Sequence, residues 1–330
     1  MSTSQKTIHL TINGRAVECR PGMTILGAAK MNHFDIPTLC YLRGINDIGS
    51  CRICVVELEG EDQLAAACNT PVAEGMVVLT HSPRALAART ENMQLLLSQH
   101  NVDCTACVRG GNCSLQSVAE SLNLPANPFA KHIETDDWPA GRMLIRDASK
   151  CIKCLRCVQV CDNVQASHIW TLKGRGTHQS IGVSGGVDLQ DAGCTLCGQC
   201  ITHCPTGALH EHDHTAGVEA ALADPDKVVV VQIAPSVRAA WAEQLGLKRE
   251  AADVNRLVSA LKQIGFDYVF DTNFGADETI VEEASEFVER LNHPDQYKLP
   301  MFTSCCPGWV RFVKQNYPEF TDNLSTSKSP

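Results

Sequence analysis

The chain has 330 residues, 44% of them hydrophobic and 20% charged, with a formal net charge of -9. That content is enough to bury cores in roughly two to four globular domains, while the acidic balance argues against a nucleic-acid surface, which needs concentrated Lys and Arg. No stretch approaches the roughly 20 apolar residues that cross a bilayer, and the opening MSTSQKTIHL lacks an apolar core of signal-peptide length. A cytoplasmic protein without a membrane span is therefore expected. The 18 cysteines would be a hazard as free thiols, and in a reducing compartment thiolates committed to metal are their expected use.

In chain order, Ile8, Leu10 and Ile12 alternate on one face, the chain turns at Asn13-Gly14, and alternation resumes through Val17 and Cys19. This predicts a hairpin with a type I′ turn. Cys19 shares the parity of Val17 and stands away from the other cysteines, so it reads as a small buried hydrophobe without a ligand role. A short helix follows over 24–32. Cys40, Cys51, Cys54 and Cys68 then form a C-x10-C-x2-C-x13-C array whose first three members lie in LCYLRGINDIGSCRIC. Four thiolates on a loop beside a small sheet fit a 2Fe-2S cluster, because the loop brings amides close to the sulfurs while the sheet holds the loop; a four-cysteine zinc site is the alternative. Ser82-Pro83 places a cap and a proline where a helix starts, with Leu86, Met93, Leu96 and Leu97 as its apolar stripe. That helix runs toward His100, Cys104, Cys107 and Cys113, an H-x3-C-x2-C-x5-C set that spacing alone leaves open between structural zinc and a cluster. Residues 125–141, rich in Pro and charge, read as a linker.

The most specific signal comes next. C-x2-C-x2-C-x3-C occurs twice, as Cys151, Cys154, Cys157, Cys161 and as Cys194, Cys197, Cys200, Cys204. Two such runs make a two-cluster bacterial ferredoxin in which the fourth cysteine of each run serves the other cluster, so Cys161 is assigned to the second triplet and Cys204 to the first. Cys204 is followed by Pro205, as the pattern asks, whereas Cys161 is followed by Asp162, which removes a turn proline and not a ligand. Zinc would need one closed set of four ligands, and disulfide frameworks belong to short secreted chains. Lys150, Lys153 and Arg156 flank the first copy, either as a solvated edge or as charge favouring reduced clusters or an acidic partner. A Gly-rich insertion, 174–186, separates the copies.

After Asp226 the pattern changes to alternating strands and helices. VVVVQIAPSV reads as a parallel strand buried on both faces, followed by a helix through Trp241, a second over 251–264, the strand YVFDT, an acidic helix over 277–291 and a strand ending at Phe302. This is the start of an α/β domain with sites at the carboxyl ends of its strands. Thr303-Ser304-Cys305-Cys306-Pro307-Gly308-Trp309 stands at such an end.

The cysteine array at 40–68 and the His100 set resemble the N-terminal segments shared by iron-only hydrogenases and the large iron-sulfur subunit of respiratory NADH dehydrogenase. TSCCPGW, with IAPSVR at 233–238 and FGADETIVEEASEFVERL at 274–291, resembles the first part of the iron-only hydrogenase catalytic domain. The resemblance implies an α+β multidomain chain: a β-grasp 2Fe-2S domain over 1–80, a His-ligated 4Fe-4S domain over 81–124, the 125–141 linker, a two-cluster 4Fe-4S ferredoxin domain over 142–215, and the N-terminal part of the H-cluster domain over 226–330. It implies that Cys306 binds the 4Fe-4S part of the H-cluster. Cys305 is then the proton relay beside the di-iron site, continued through Glu283, Glu286 and Ser325, and Ala234, Pro235 and Ser236 line the di-iron pocket. Without the resemblance, Glu283 and Glu286 read equally well as a solvated acidic face. The family's later H-cluster cysteines have no counterpart in the sequence, so a chain truncated within the domain is expected, able to hold one 2Fe-2S and three 4Fe-4S clusters but not a complete H-cluster.

The function implied is a hydrogenase subunit interconverting hydrogen with protons and electrons. It would relay electrons to flavin and iron-sulfur NAD(P)-linked subunits or to ferredoxin in a hetero-oligomeric complex. The rival reading is a non-catalytic electron-transfer subunit of an NADH dehydrogenase-like complex, which shares the first half but lacks TSCCPGW.

Overall fold

The computed structural model describes residues 7–330 apart from 140 and 244. The chain forms two compact units, one comprising the residues up to Ala192 with Gly198–His212, the other Gly193–Cys197 with Asp213–Pro330.

The first unit opens with the expected hairpin of β1 (Ile8–Ile12) and β2 (Arg15–Cys19). Asn13 at φ 49° and Gly14 at φ 78° supply the two left-handed residues a type I′ turn demands. Helix α1 (Ile25–Met31) starts at Thr24, whose hydroxyl accepts from the Gly27 amide at 3.1 Å. With β3 (Val55–Leu58), β4 (Ala65–Ala66) and β5 (Val77–Leu79) the hairpin makes a five-stranded sheet in the order β2-β1-β5-β3-β4, in which only β1 and β5 pair parallel. Leu10, Ile12 and Val17 pack with Ile25, Leu26 and Val78 in one core, each burial favouring the fold by about 1.5–3 kcal/mol. Cys19 is buried in that core, as its parity predicted.

Helix α2 (Pro83–Ser98) begins at Ser82, whose hydroxyl accepts from the Ala85 amide at 3.2 Å. Of the expected stripe, Met93 is buried with Leu96 and Leu97 packed against the same core, but Leu86 is 38% exposed; Ala85 and Arg89, spaced four apart in line with Met93, point inward in its place. After α3 (Ser114–Ser121) the run 125–139 is irregular, yet it is not a free linker. Gln94 donates to the Ala126 carbonyl at 3.1 Å, Asn127 to the Gln94 carbonyl at 2.8 Å, and the His132 amide to the Ser98 carbonyl at 2.8 Å. Trp138 stacks on Trp170 with centroids 6.0 Å apart. Side-chain amides and an indole dock a segment whose prolines preclude regular structure.

The repeat region contains β6 (Leu144–Arg146), α4 (Arg156–Asn163), β7 (Trp170–Lys173), β8 (Ser180–Val183), α5 (Gln199–His203) and β9 (Leu209–Glu211). β6 pairs β9 and β7 pairs β8, both antiparallel, so the Gly-rich insertion lies largely within a hairpin.

The second unit contains α6 (Thr215–Leu222), β10 (Val230–Ile233), α7 (Pro235–Ala240), α8 (Val254–Ile264), β11 (Tyr268–Asp271), α9 (Thr272–Asn292) and α10 (Pro307–Asn316). β10 and β11 pair parallel, as an α/β pattern requires. The valine run is not buried on both faces: Val228 is 69% and Val230 51% exposed, in a sheet of two strands. Helix α9 starts at Thr272 rather than Asp277, since Asp271 accepts from the Asn273 amide at 3.0 Å and caps it early. The strand expected to end at Phe302 is a single parallel bridge to Leu324, with Pro300 lacking an N–H to extend it. Among the described residues no helix is long and apolar enough to cross a membrane.

Candidate metal centres

The two cysteine runs share a backbone as well as a spacing. Lys153 and Leu196, two residues after each first cysteine, have φ 53° and 57°; Leu155 and Gly198, four residues after, have φ 61° and 75°. These left-handed steps curl the chain so that the Lys153 amide points at Cys151 Sγ and the Leu196 amide at Cys194 Sγ, each at 3.4 Å. Amides aimed at sulfur are what a site for a multiply charged cluster needs, because they stabilise thiolate charge.

Cys151, Cys154, Cys157 and Cys204 line one cavity, bordered by Ile152, Trp170 and Ile181. The fourth thiol on this cavity comes from the far copy. Burial pushes the Cys151 and Cys154 thiols up to about 11 and about 12, with the Cys204 charge adding to the rise, and lifts Cys157 as well. Three thiols of one run that resist ionising fit a group whose iron supplies the compensating positive charge. Among the described residues no three such side chains converge on one point; the thiols line the wall of a cavity instead. Of the other set, Cys161 and Cys200 are buried in the first unit, with the Ile169 amide 3.3 Å from Cys161 Sγ. Cys194 is buried and Cys197 exposed, both in the second.

Cys40, Cys51, Cys54 and Cys68 are all buried and meet as two hydrogen-bonded thiol pairs, Cys40 with Cys51 and Cys54 with Cys68. The hydrogen bond from Cys40 outweighs burial and holds Cys51 down to about 6, while Cys40 is driven up by that same bond and by burial. Two buried thiol pairs beside β3 supply the four sulfur donors that a cluster site needs. Asn46 and Arg156, the latter one of the cations flanking the first run, tie this loop to the ferredoxin run. Asn46 is buried and donates to the Cys40 carbonyl at 2.8 Å and the Cys154 carbonyl at 2.9 Å; Arg156 donates to the Cys40 and Tyr41 carbonyls at 3.3 and 2.8 Å.

His100 lies just beyond the end of α2, buried, with Nδ1 3.1 Å from the Lys150 carbonyl. That carbonyl can only accept, so Nδ1 carries the proton and Nε2 keeps a free lone pair. Burial holds the imidazole below its ordinary value and therefore neutral. The same carbonyl accepts from Thr206, itself 3.7 Å from Cys204 Sγ. Cys107 and Cys113 both abut this segment: Cys113 Sγ is 3.7 Å from the Pro205 carbonyl, and a Cβ on Gly207 would stand 2.9 Å from Cys107 Sγ. Cys104 is exposed.

In the second unit Cys306 is the residue before α10, and Cys305 and Cys306 are both exposed. The Ser304 amide, next to Cys305, donates to Glu283 at 3.2 Å. Ser325 donates to Glu286 at 2.7 Å, and the Thr326 amide to the same carboxylate at 3.0 Å. Arg290, buried and one turn on from Glu286, grips it at 2.6 Å and also donates to the Asp322 and Leu324 carbonyls. Burial raises the Glu286 carboxyl, but Ser325 and Arg290 outweigh it and hold it below the usual range. The i,i+4 spacing of Glu286 and Arg290 was visible in the sequence; the burial of Arg89 and the reach of Asn46 were not. Ala234, Pro235 and Ser236 stand exposed at the carboxyl end of β10, where α7 begins.

The iron only hydrogenase large subunit, C-terminal domain, matches residues 227–330. These residues are similar to the iron-only hydrogenase family. Ahead of the hydrogenase segment lie matches to a 2Fe-2S iron-sulfur cluster binding domain at 5–83, the NADH-ubiquinone oxidoreductase-G iron-sulfur binding region at 89–127 and a 4Fe-4S dicluster domain at 150–208. The chain is 45% identical to the NADP-reducing hydrogenase subunit HndD of Solidesulfovibrio fructosivorans, over 98% of this chain and 57% of that protein. It is 39% identical to iron hydrogenase 1 of Clostridium pasteurianum, over 97% and 56%. It thus spans a little more than half the length of these relatives. A solved NAD+-reducing [NiFe]-hydrogenase superposes with a TM-score of 0.57 at 27% identity, covering 62% of this chain and 87% of that one.

Proposed function

We propose that the chain is the iron-sulfur and catalytic subunit of an iron-only hydrogenase, interconverting hydrogen with protons and electrons. Cys40, Cys51, Cys54 and Cys68 would hold a 2Fe-2S cluster; His100 with Cys104, Cys107 and Cys113 a 4Fe-4S cluster; the two cysteine runs one 4Fe-4S cluster each; and Cys306 the cubane part of the H-cluster. When bound, these groups supply hydrogen splitting and one-electron storage. The chain's own residues manage protons. Cys305 offers a thiol whose proton affinity its surroundings can tune, Glu283 waits beside it on the Ser304 amide, and Ser325 and Glu286 continue outward with Arg290 fixing the carboxylate. Ala234, Pro235 and Ser236 would line the di-iron pocket.

The observation that carries this reading is the Ser325–Glu286 bond at 2.7 Å, which joins two residues 39 apart in sequence that the family resemblance names as one relay. The hydrogenase match at 227–330 disfavours the NADH dehydrogenase-like alternative. The name of the Solidesulfovibrio relative supports NADP-linked partner subunits in a hetero-oligomer, with ferredoxin as the other acceptor and the cytoplasm as location. The domains would run 1–80, 81–124, 142–215 and 226–330. The test is hydrogen-dependent dye reduction by the anaerobic holoprotein. Cys305→Ala should abolish it while the cluster signals persist, and unchanged activity in that variant would refute the relay.

A further inference from the structure

Three arginines are buried among the described residues: Arg89, Arg146 and Arg290. Arg146 is paired with Glu134 and Asp136, and Arg290 with Glu286. Arg89 differs. It is 1% exposed, and its Nε and Nη2 both donate to one neutral acceptor, the Val55 carbonyl, at 3.1 and 2.7 Å. No carboxylate bonds to it among the described residues. A buried guanidinium without a counter-charge is costly, and a fold keeps one where an anion faces it.

The neighbouring chemistry identifies the anion. Val55 follows Cys54, and Cys54 is the group whose charge acts most strongly in Arg89's favour, ahead of the exposed Asp35. Cys54 belongs to the buried quartet with Cys40, Cys51 and Cys68. A 2Fe-2S cluster on four thiolates is a net anion, and reduction adds another negative charge in a region of low polarity. A fixed cation beside it stabilises the reduced state more than the oxidised one. We propose that Arg89 is the counter-ion of the 2Fe-2S cluster and raises its reduction potential. Reduction is then a single electron entering the cluster with no proton following, because a guanidinium stays protonated. This rests on the reading of the quartet as a 2Fe-2S site. Arg89 acts through the cluster's charge, as a positioning residue and not a catalytic one.

The test is a redox titration of the 2Fe-2S paramagnetic signal in the anaerobic holoprotein. Arg89→Met keeps the length and apolar stem but removes the charge, and Arg89→Lys keeps the charge. Arg89→Met should lower the one-electron reduction equilibrium at least tenfold, about 59 mV, with Arg89→Lys within threefold of wild type and the other clusters unmoved. Should Arg89→Met fail to hold the cluster while Arg89→Lys holds it at the wild-type potential, the requirement for charge is equally shown. A wild-type potential in Arg89→Met overturns the proposal, as does loss of the cluster in both variants, which would make the role one of packing. A wild-type protein with no 2Fe-2S signal removes the site reading itself, and the inference with it.

Discussion

Asn46 offers a demanding test of how the first unit is built. Its Nδ2 donates at 2.8 Å to the Cys40 carbonyl and at 2.9 Å to the Cys154 carbonyl, so one amide clamps two ligand loops that lie far apart in sequence. Asn46→Asp keeps the shape and the Oδ1, which has no protein partner, and replaces both donors with an acceptor. The Cys40 carbonyl retains Arg156 at 3.3 Å, so the loss falls mainly on the Cys154 carbonyl. Two hydrogen bonds at about 0.5–1.5 kcal/mol each give a loss of about 2 kcal/mol before the burial of a carboxyl is added. That corresponds to roughly 30-fold easier local opening. Hydrogen exchange followed by mass spectrometry under anaerobic conditions should show that acceleration in both 39–46 and 151–157, with the β1–β2 hairpin unchanged. Exchange within threefold of wild type in those two segments would refute the clamp.

Other outcomes follow from single contacts. Cys204→Ala should abolish the 4Fe-4S signal of the Cys151 triplet and spare the 2Fe-2S signal, because Cys204 lines the same cavity as Cys151, Cys154 and Cys157; electron paramagnetic resonance of the variant decides it. Gly207→Ala places a Cβ 2.9 Å from Cys107 Sγ, so it should weaken the His-ligated cluster's signal, and an unaltered spectrum would contradict the close packing. Glu286 has a folded value held below its unfolded one, so its stabilising contribution is fully present above the ordinary carboxylate range and is lost as pH falls through the folded value. The stability gap between wild type and Glu286→Gln should therefore be constant from pH 6 to 8 (about neutral, where the carboxylate stays ionised) and shrink on acidification, as thermal unfolding would report.

The candidate cluster ligands were legible because metal chemistry imposes spacing. The C-x2-C-x2-C-x3-C runs announced both the pairing of copies and the loan of Cys204 to the first cavity, and Asn13-Gly14 announced a turn that needs two left-handed residues. What stayed hidden depends on long-range packing. Leu86 and Arg89 exchange the places that hydrophobicity alone would give them, because α2 is rotated to bring a guanidinium to the Val55 carbonyl. The 125–141 run looked like a linker since its bonds come from side chains on α2 and from an indole, which leave no periodic trace. The valine run at β10 signalled parallel pairing correctly, but burial depends on how many layers cover a strand, and its sequence does not record that.

The central claim is that the buried thiols and His100 hold iron-sulfur clusters rather than zinc. Iron, acid-labile sulfide and zinc analysis of protein purified without oxygen, read together with its paramagnetic spectra, tests it most directly. The account predicts iron and sulfide in near-equal amounts, with one 2Fe-2S and three 4Fe-4S signals outside any H-cluster. Stoichiometric zinc with no cluster signal would contradict it.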